Sequence, residues 1–588
     1  LPGRNTTVFS FSRPVWTPSQ GKPLPANADV RLTVRVDIED RNFHSETKHN
    51  DGAHHHFTRH CHPLTTQTTR HTPHERHYGF AFTPDAERHL RVYITEGDYH
   101  PAPEWSRNIP HPVEATREQE SCGDAFSPGW FELPLAPEQE LKLIVTADAT
   151  NPSDVELSQS EKIPDAKTSK TDGSEFEQTL LQAAKAFVVR RGEGKTVIAG
   201  YPWFLDWGRD TLICARGLLA AGMIEDVREI LLTFAKFEQH GTLPNIIHGE
   251  HVGNRDTSDA PLWFGVVCEE LAALEKTNSK SRRHVTNFYS TPLDTQGRTV
   301  ADVLRDIAAH HLHGTPNGIR VDAESGLVFS PSHFTWMDTN HPAGTPREGY
   351  PIEIQCLWIR LLRQLERLGA KPVNESWAAL ADRALASLEK FYWLEEQSWF
   401  ADCLRAKHGA PANPAQGDDA LRSNCLFTIS LGLVTGERAR RTVEAARRWL
   451  AVPGGLRSLA PLPVKLPLAI RHHGHLLNDP HQPYWGHYAG DEDTRRKPAY
   501  HNGTAWTWTF PVFCEALAAA WEHSPAAVAA ARAYLTSSAQ LLQHGCLGQI
   551  PEILDGDAPH TQRGCDAQAW GVTEALRVWK VLKSDPAS

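Results

Sequence analysis

The sequence predicts a mainly α chain in which a large helical region follows a smaller β-rich domain. Three observations predict it. Short runs before about residue 150 alternate apolar and polar positions and are rich in β-branched residues. A polar stretch without periodicity follows. From about residue 175, apolar residues recur at three- and four-residue spacing, the period of a helix with one face buried. At 588 residues the chain is too long for one ordinary core, and two domains are expected.

In the first domain, residues 1–150, "VRLTVRVDI" (Val30 to Ile38), "LRVYIT" (Leu90 to Thr95) and "LKLIVTAD" (Leu141 to Asp148) read as strands. The segment "AHHHFTRHCH" (Ala53 to His62) suggests metal ligands, but no second ligand cluster accompanies it, and it reads as a solvated loop. "SQSEKIPDAKTSKTDGSE" (Ser158 to Glu175) marks the linker, placed at residues 151–174.

Residues 175–588 then carry twelve candidate helices. They begin near Glu175, Asp210, Ile224, Ser258, Thr299, Ile352, Glu375, Asp418, Glu437, Thr504, Ala526 and Asp566. "IEIQCLWIRLLRQLERL" (Ile352 to Leu368) shows the pattern clearly. No fixed-length repeat stands out, which argues against a solenoid. A closed double ring of six inner and six outer helices has this count.

Composition narrows the partners. A net charge of −11 and the lack of a sustained basic stripe argue against nucleic acid and anionic membranes. No run of about 18 apolar residues is present to cross a bilayer. Ten cysteines are a low density for this length, and several sit in apolar helical runs without C-x-x-C spacing, which fits a reducing cytoplasm. The opening Leu-Pro-Gly, without an initiator Met or a signal-peptide pattern, reads as the start of a fragment or a processed chain.

The unusual residues lie between the helices. "GYPWFLDWGRDTL" (Gly200 to Leu212) crowds four aromatic residues, two aspartates and an arginine against the start of a helix. Surface loops favour small polar residues, and cores leave out paired Asp and Arg. The mixture suits a sugar, whose C–H faces stack on rings while its hydroxyls bond to charged groups. Three further segments combine rings, acids, Gly and Pro just before a helix, 243–264, 334–354 and "GQIPEILDGDAPHTQRGCDAQAW" (Gly548 to Trp570), and a fourth, "AYHNGTAWTWTF" (Ala499 to Phe510), combines rings with His, Asn and Gly. "RRGEGKT" (Arg190 to Thr196) lacks the spacing of a phosphate-binding loop and reads as a turn.

These five segments, in this order, resemble the glucosidase domain of glycogen debranching enzymes, over about residues 175 to 583. The resemblance implies an (α/α)6 barrel, more distantly similar to glucoamylases, preceded by a β-sandwich-type domain. It implies an inverting amylo-α-1,6-glucosidase acting on glycogen, limit dextrin or branched maltodextrin. Neither a metal nor an organic cofactor is implied. Nothing in the chain resembles the (β/α)8 transferase domain of the two-activity enzymes.

By that resemblance Trp207, Arg209 and Asp210 line the pocket for the terminal glucose, with Trp203 as a stacking ring. Asp338, in "FTWMDT" beside Trp336, matches the general acid; nearby rings would raise its pKa. Glu552, in "IPEILDGD", matches the general base, with Asp555 and Asp557 as neighbouring alternatives. Inversion requires room for a water between base and sugar, so the two carboxyls are expected about 6.5–9.5 Å apart. His501, Thr504 and Trp506 match an element that helps line the pocket, although a buried, satisfied His501 reads as well. Gln568 and Trp570 are left open between pocket and packing, as Asp256 and Asp259 are between the site and a helix cap.

Overall fold

A computed structural model describes the chain except for residues 2–3, 14–23, 26, 42–44, 68–74, 87, 116–119, 154–156, 158–174, 193, 249–250, 280–286, 340–344 and 584–588. The linker segment Ser158 to Glu175 therefore lies almost wholly outside the described residues. The chain divides into two compact units, Leu1–Asp172 and Gly173–Ser588.

The first unit holds two antiparallel sheets. Strands β1 (Thr6–Ser12), β2 (Arg31–Arg35), β3 (Cys61–Gln67), β4 (Glu75–Phe82), β5 (Leu90–Ile94), β6 (Asp98–Pro110), β7 (Cys122–Pro134) and β8 (Glu140–Thr146) form sheets of order β1-β8-β5-β4-β3 and β2-β7-β6. Both sheets contribute to one apolar cluster, with Phe80, Val92 and Leu141 from the first and Tyr99 and Phe131 from the second. Register follows the alternation: Phe80 lies opposite Val92, and Val92 opposite Val145.

The histidine-rich segment is not a loop. It is helix α1 (Asp51–His60), whose start is capped by Asn50 Oδ1 accepting from the Ala53 amide at 2.8 Å. Phe57 is buried and stacks against Phe82 and Phe126, and that anchor decides the conformation. Its imidazoles take local partners, His56 with Asp40 at 3.2 Å and His60 with the His56 carbonyl at 2.8 Å. Among the described residues no group of three or more His, Cys, Asp or Glu is placed to hold a metal ion.

The second unit is helical. Helices α2 (Glu175–Lys185), α3 (Gly208–Ala220), α4 (Ile224–Lys236), α5 (Ala260–Ser279), α6 (Val300–His313), α7 (Ile352–Arg367) and α8 (Trp377–Phe391) come first. Then follow α9 (Phe427–Ser430), α10 (Gly436–Trp449), α11 (Thr509–Ala520), α12 (Pro525–Thr536) and α13 (Ala569–Val581). The odd-numbered helices pack in sequence, α3 on α5, α5 on α7, α7 on α9, α9 on α11 and α11 on α13, and α13 returns to α3. The even-numbered helices lie outside them. Burial follows the layer: α3 is buried from Gly208 to Leu219, whereas α4 buries only Val227, Ile230, Leu231, Phe234 and Ala235.

Three expected helix starts shift. Asp418 does not begin a helix; its carboxylate accepts from Arg405 at 2.7 Å and from the Ala420 amide at 3.1 Å, and only a 3-10 turn, Ser423–Leu426, leads into the short α9. Ala505–Trp506 and Ala567–Gln568 are short strands, which delays α11 to Thr509 and α13 to Ala569. Among the described residues no helix is long and apolar enough to cross a membrane.

Candidate active site

The segments at the starts of α3, α7, α11 and α13 converge on one pocket. Phe204, Trp207, Arg209 and Asp210 line it from the start of α3, Trp336 and Asp338 from the loop before α7. Tyr500 and Trp506 reach it from before α11, Glu552 and Gln568 from before α13, and Trp570 from its first turn.

The first wall depends on a close backbone approach. Trp207 forms an antiparallel bridge with Ile246, and the Gly208 amide donates to the Asn245 carbonyl at 2.9 Å. A Cβ at Gly208 would lie 2.2 Å from the Pro244 carbonyl oxygen, so only glycine fits. Asp210 is not the helix cap; α3 begins at Gly208, and Asp210 stands in the first turn. It is buried, and desolvation pushes its pKa up to about 8; Arg209 works against that shift, while Asp338 and Glu552 reinforce it.

Arg209 spans two acids. Its Nε donates to both oxygens of Asp259 at 2.8 Å, and its Nη1 donates to Asp338 Oδ2 at 2.8 Å. Asp259 also accepts from the Thr257 hydroxyl at 2.6 Å, and Thr257, not Asp259, accepts the first amide of α5 from Ala260 at 3.3 Å. Asp259 is thus the buried counter-ion of Arg209, while Asp256 is exposed. The Asp338 side chain keeps about a third of its surface open (33%). Desolvation raises its pKa from the ordinary carboxylate value, and the guanidinium opposes that rise.

A second guanidinium fixes the loop that carries Asp338. Arg347 is buried with Glu353 (2.5 and 2.7 Å), Asp402 (2.6 Å) and the Thr335 hydroxyl (2.9 Å). Its backbone is left-handed, φ 45°, a conformation that these bonds hold in place. Asp402 accepts from Asn424 Nδ2 at 2.8 Å, and Asn424 Oδ1 accepts the Trp336 indole N–H at 2.7 Å. The ring beside the acid is therefore locked through four residues.

Glu552 is positioned by short strands. Trp506 pairs with Ile553 in register, and the Glu552 amide donates to the Cys565 carbonyl at 2.8 Å. Its carboxylate accepts from the Tyr500 hydroxyl at Oε1 and from the Cys565 amide at Oε2, 2.9 Å away. Of the three neighbouring acids, Glu552 alone is on the pocket lining. Asp555 is held by Arg563 at 3.1 Å and the Tyr488 amide at 2.8 Å, and Asp557 by the Tyr484 hydroxyl at 2.8 Å.

Two expected lining residues stand elsewhere. Trp203 is buried off the lining, and Phe204 forms the wall instead. His501 is buried behind Trp506, its ring stacked at 5.1 Å, with Nδ1 against the Thr339 hydroxyl at 2.7 Å. Desolvation holds its pKa well below the ordinary histidine value, so it is neutral. Thr504 Oγ1 donates to the Tyr500 carbonyl at 2.5 Å and helps shape that loop. Gln568 and Trp570 do reach the pocket, with Gln568 Oε1 and Trp570 Nε1 buried and without a hydrogen-bond partner among the described residues.

Tyr500, like Phe204, is a lining residue that sequence reasoning missed. It stood in the quoted "AYHNGTAW", but only the single helical turn Lys497–Tyr500 decides that it, and not His501, meets Glu552. The "RRGEGKT" segment lies in the hairpin Val188–Arg191 with Gly194–Val197, and Arg191 holds Asp206 at 2.7 Å, one residue before Trp207.

Comparison with known proteins identifies the family. Residues 182–577 match the family described as amylo-alpha-1,6-glucosidase, and residues 2–142 match the glycogen debranching enzyme N-terminal family. The glycogen debranching enzyme of Saccharomyces cerevisiae is 22% identical over 419 residues, which cover 57% of this chain and 26% of that protein. A periplasmic trehalase of Escherichia coli O8 is 23% identical over 340 residues, 49% of this chain and 55% of the trehalase. The chain thus spans about a quarter of the first relative's length and about half of the second's. Among solved structures, a bacterial glucoamylase complexed with acarbose aligns at a TM-score of 0.48 and 11% identity, over 86% of this chain and 73% of that one. With a family match over most of its helical unit and a pocket lined by three carboxyl groups among aromatic rings, the chain belongs to the amylo-alpha-1,6-glucosidase family of glycoside hydrolases.

Proposed function

We propose that the chain hydrolyses single α-1,6-linked glucose stubs at branch points of glycogen, limit dextrin or branched maltodextrin, with inversion. The observation that carries this reading is the pairing of Asp338 and Glu552 across one ring-lined pocket in unlike surroundings. Two donors, the Tyr500 hydroxyl and the Cys565 amide, face the Glu552 carboxylate and favour its ionised form as a base. Burial favours a proton on Asp338, the acid. In this reading Glu552 takes a proton from water as the hydroxide equivalent attacks the anomeric carbon, and Asp338 protonates the departing 6-oxygen.

The closed sequence of inner helices supports an (α/α)6 barrel at residues 175–588, and the two-sheet unit supports a β-sandwich-type domain at residues 1–150. All ten cysteines are free thiols, which supports a reducing compartment such as the cytoplasm. We assign Trp207, Asp210, Trp336, Trp506, Gln568 and Trp570 to the walls that hold the terminal glucose.

The similarity to trehalase favours a second reading, hydrolysis of a disaccharide of two glucoses. A glucose-release assay separates the two. Glucosyl-branched dextrin should be preferred over panose, isomaltose and trehalose; preference for trehalose would replace the branch-point reading, and preference for linear maltodextrin would indicate a glucoamylase-like exo-glucosidase.

A further inference from the structure

We propose that Arg209 is a positioning residue for the acid, fixing which oxygen of Asp338 carries the proton; this rests on the assignment of Asp338 as general acid. The resemblance assigns Arg209 to the sugar, yet its fork is committed to protein. Nε is held by both oxygens of Asp259, Nη1 by Asp338 Oδ2, and Nη2 reaches toward Thr257 Oγ1 at 3.4 Å and the Phe334 carbonyl at 3.5 Å. The residue is 2% exposed. A guanidinium has five N–H donors and no acceptor, so Oδ2, facing Nη1–H, is the poor site for a proton. Oδ1 does not face the guanidinium, and a neutral Asp338 therefore carries its proton there.

The consequence is a directed transfer. As the bond from the anomeric carbon to the leaving oxygen breaks, that oxygen takes the proton of Oδ1. The electron pair stays on the Asp338 carboxylate, where Arg209 stabilises the new charge. Asp259 sets how strongly Arg209 acts, because the two carboxyls share one cation. The ionisable groups that act on Asp338 are Arg209 and Asp210 from α3, Asp259 from before α5, Tyr500 from before α11 and Glu552 from before α13.

Two variants move the acid in opposite directions. Arg209→Gln removes the cation, so the basic limb of the kcat/KM profile should rise by about one pH unit or more. Asp259→Asn is isosteric and leaves the cation to Asp338 alone, so the same limb should fall. With α-glucosyl fluoride, whose leaving group needs little protonation, Arg209→Gln should lose at least tenfold less than with the branched glycoside. Equal losses on both substrates with unmoved limbs would make Arg209 a sugar ligand only and overturn the inference. If Arg209→Gln fails to fold, the Asp259→Asn limb decides: a fall supports the assignment, and an unmoved or raised limb overturns it. A wild type that releases no glucose from any of the substrates overturns the functional reading and this inference together; an active wild type with unmoved limbs overturns the inference alone.

Discussion

The Tyr500 hydroxyl donates to Glu552 Oε1 while the Cys565 amide holds Oε2 at 2.9 Å. The carboxylate is gripped at both oxygens, so its rotamer is set before substrate arrives. Tyr500→Phe should keep the ring and lose one charge-assisted bond, worth about 1.5–3 kcal/mol. We expect kcat to fall roughly ten- to a hundredfold, with KM and melting temperature little changed. A fall in melting temperature with kcat preserved would make Tyr500 a packing residue.

Asp338→Asn and Glu552→Gln should each cost at least about 10²-fold in turnover, because neither amide can give or take the required proton. Both keep the shape of the site, so binding of a substrate mimic should persist. Azide should rescue Glu552→Gln by attacking the anomeric carbon in place of the activated water, and should not rescue Asp338→Asn. Proton NMR of the first sugar released by the wild type should show β-glucose; α-glucose would mean retention, and the water-activating role of Glu552 would fall.

Asp210 has a pKa raised to about 8 by burial. A carboxyl that holds its proton more tightly folded than unfolded stabilises the native state fully below about pH 4, its unfolded value. That contribution is lost as pH rises toward 8. Asp210→Asn removes the titration, so relative to wild type it should gain stability between pH 4 and pH 8, by about 1 kcal/mol or more at the upper end. Its affinity for glucose-terminated substrate should weaken. Chemical denaturation at pH 5 and pH 8.5 tests the first point; a constant difference at the two pH values would show that Asp210 does not titrate in this window.

Gly217 of α3 lies against α13, where an added Cβ would stand 2.1 Å from the Thr573 carbonyl oxygen. Glycine to alanine in a helix normally stabilises by up to about 1 kcal/mol. Here the first and last inner helices would have to part, so Gly217→Ala should destabilise by about 1–3 kcal/mol. A raised melting temperature would mean that the two helices do not pack as described.

Much of this protein was legible in the order of its residues. Periodicity alone separated the strands at Arg31, Leu90 and Glu140 from the helices beyond Glu175, because a strand and a one-faced helix bury different spacings. Four of the five quoted segments supply the pocket lining, and the fifth, 243–264, supplies Asp259 behind Arg209. Local pattern failed where a distant partner decides the conformation. Phe57, buried between two sheets, turns a histidine-rich stretch into a helix, and Arg405 holds Asp418 in an extended segment. The tertiary structure also divided neighbours that sequence could not: Phe204 from Trp203, Tyr500 from His501, and Glu552 from Asp555 and Asp557. Each choice turns on which way one side chain points, and that is set by backbone pairings such as Trp506 with Ile553, between residues far apart in the chain. The commitment of Arg209 to Asp259 and Asp338 is of the same kind, since their 50- and 129-residue separations close only when α3, α5 and α7 pack.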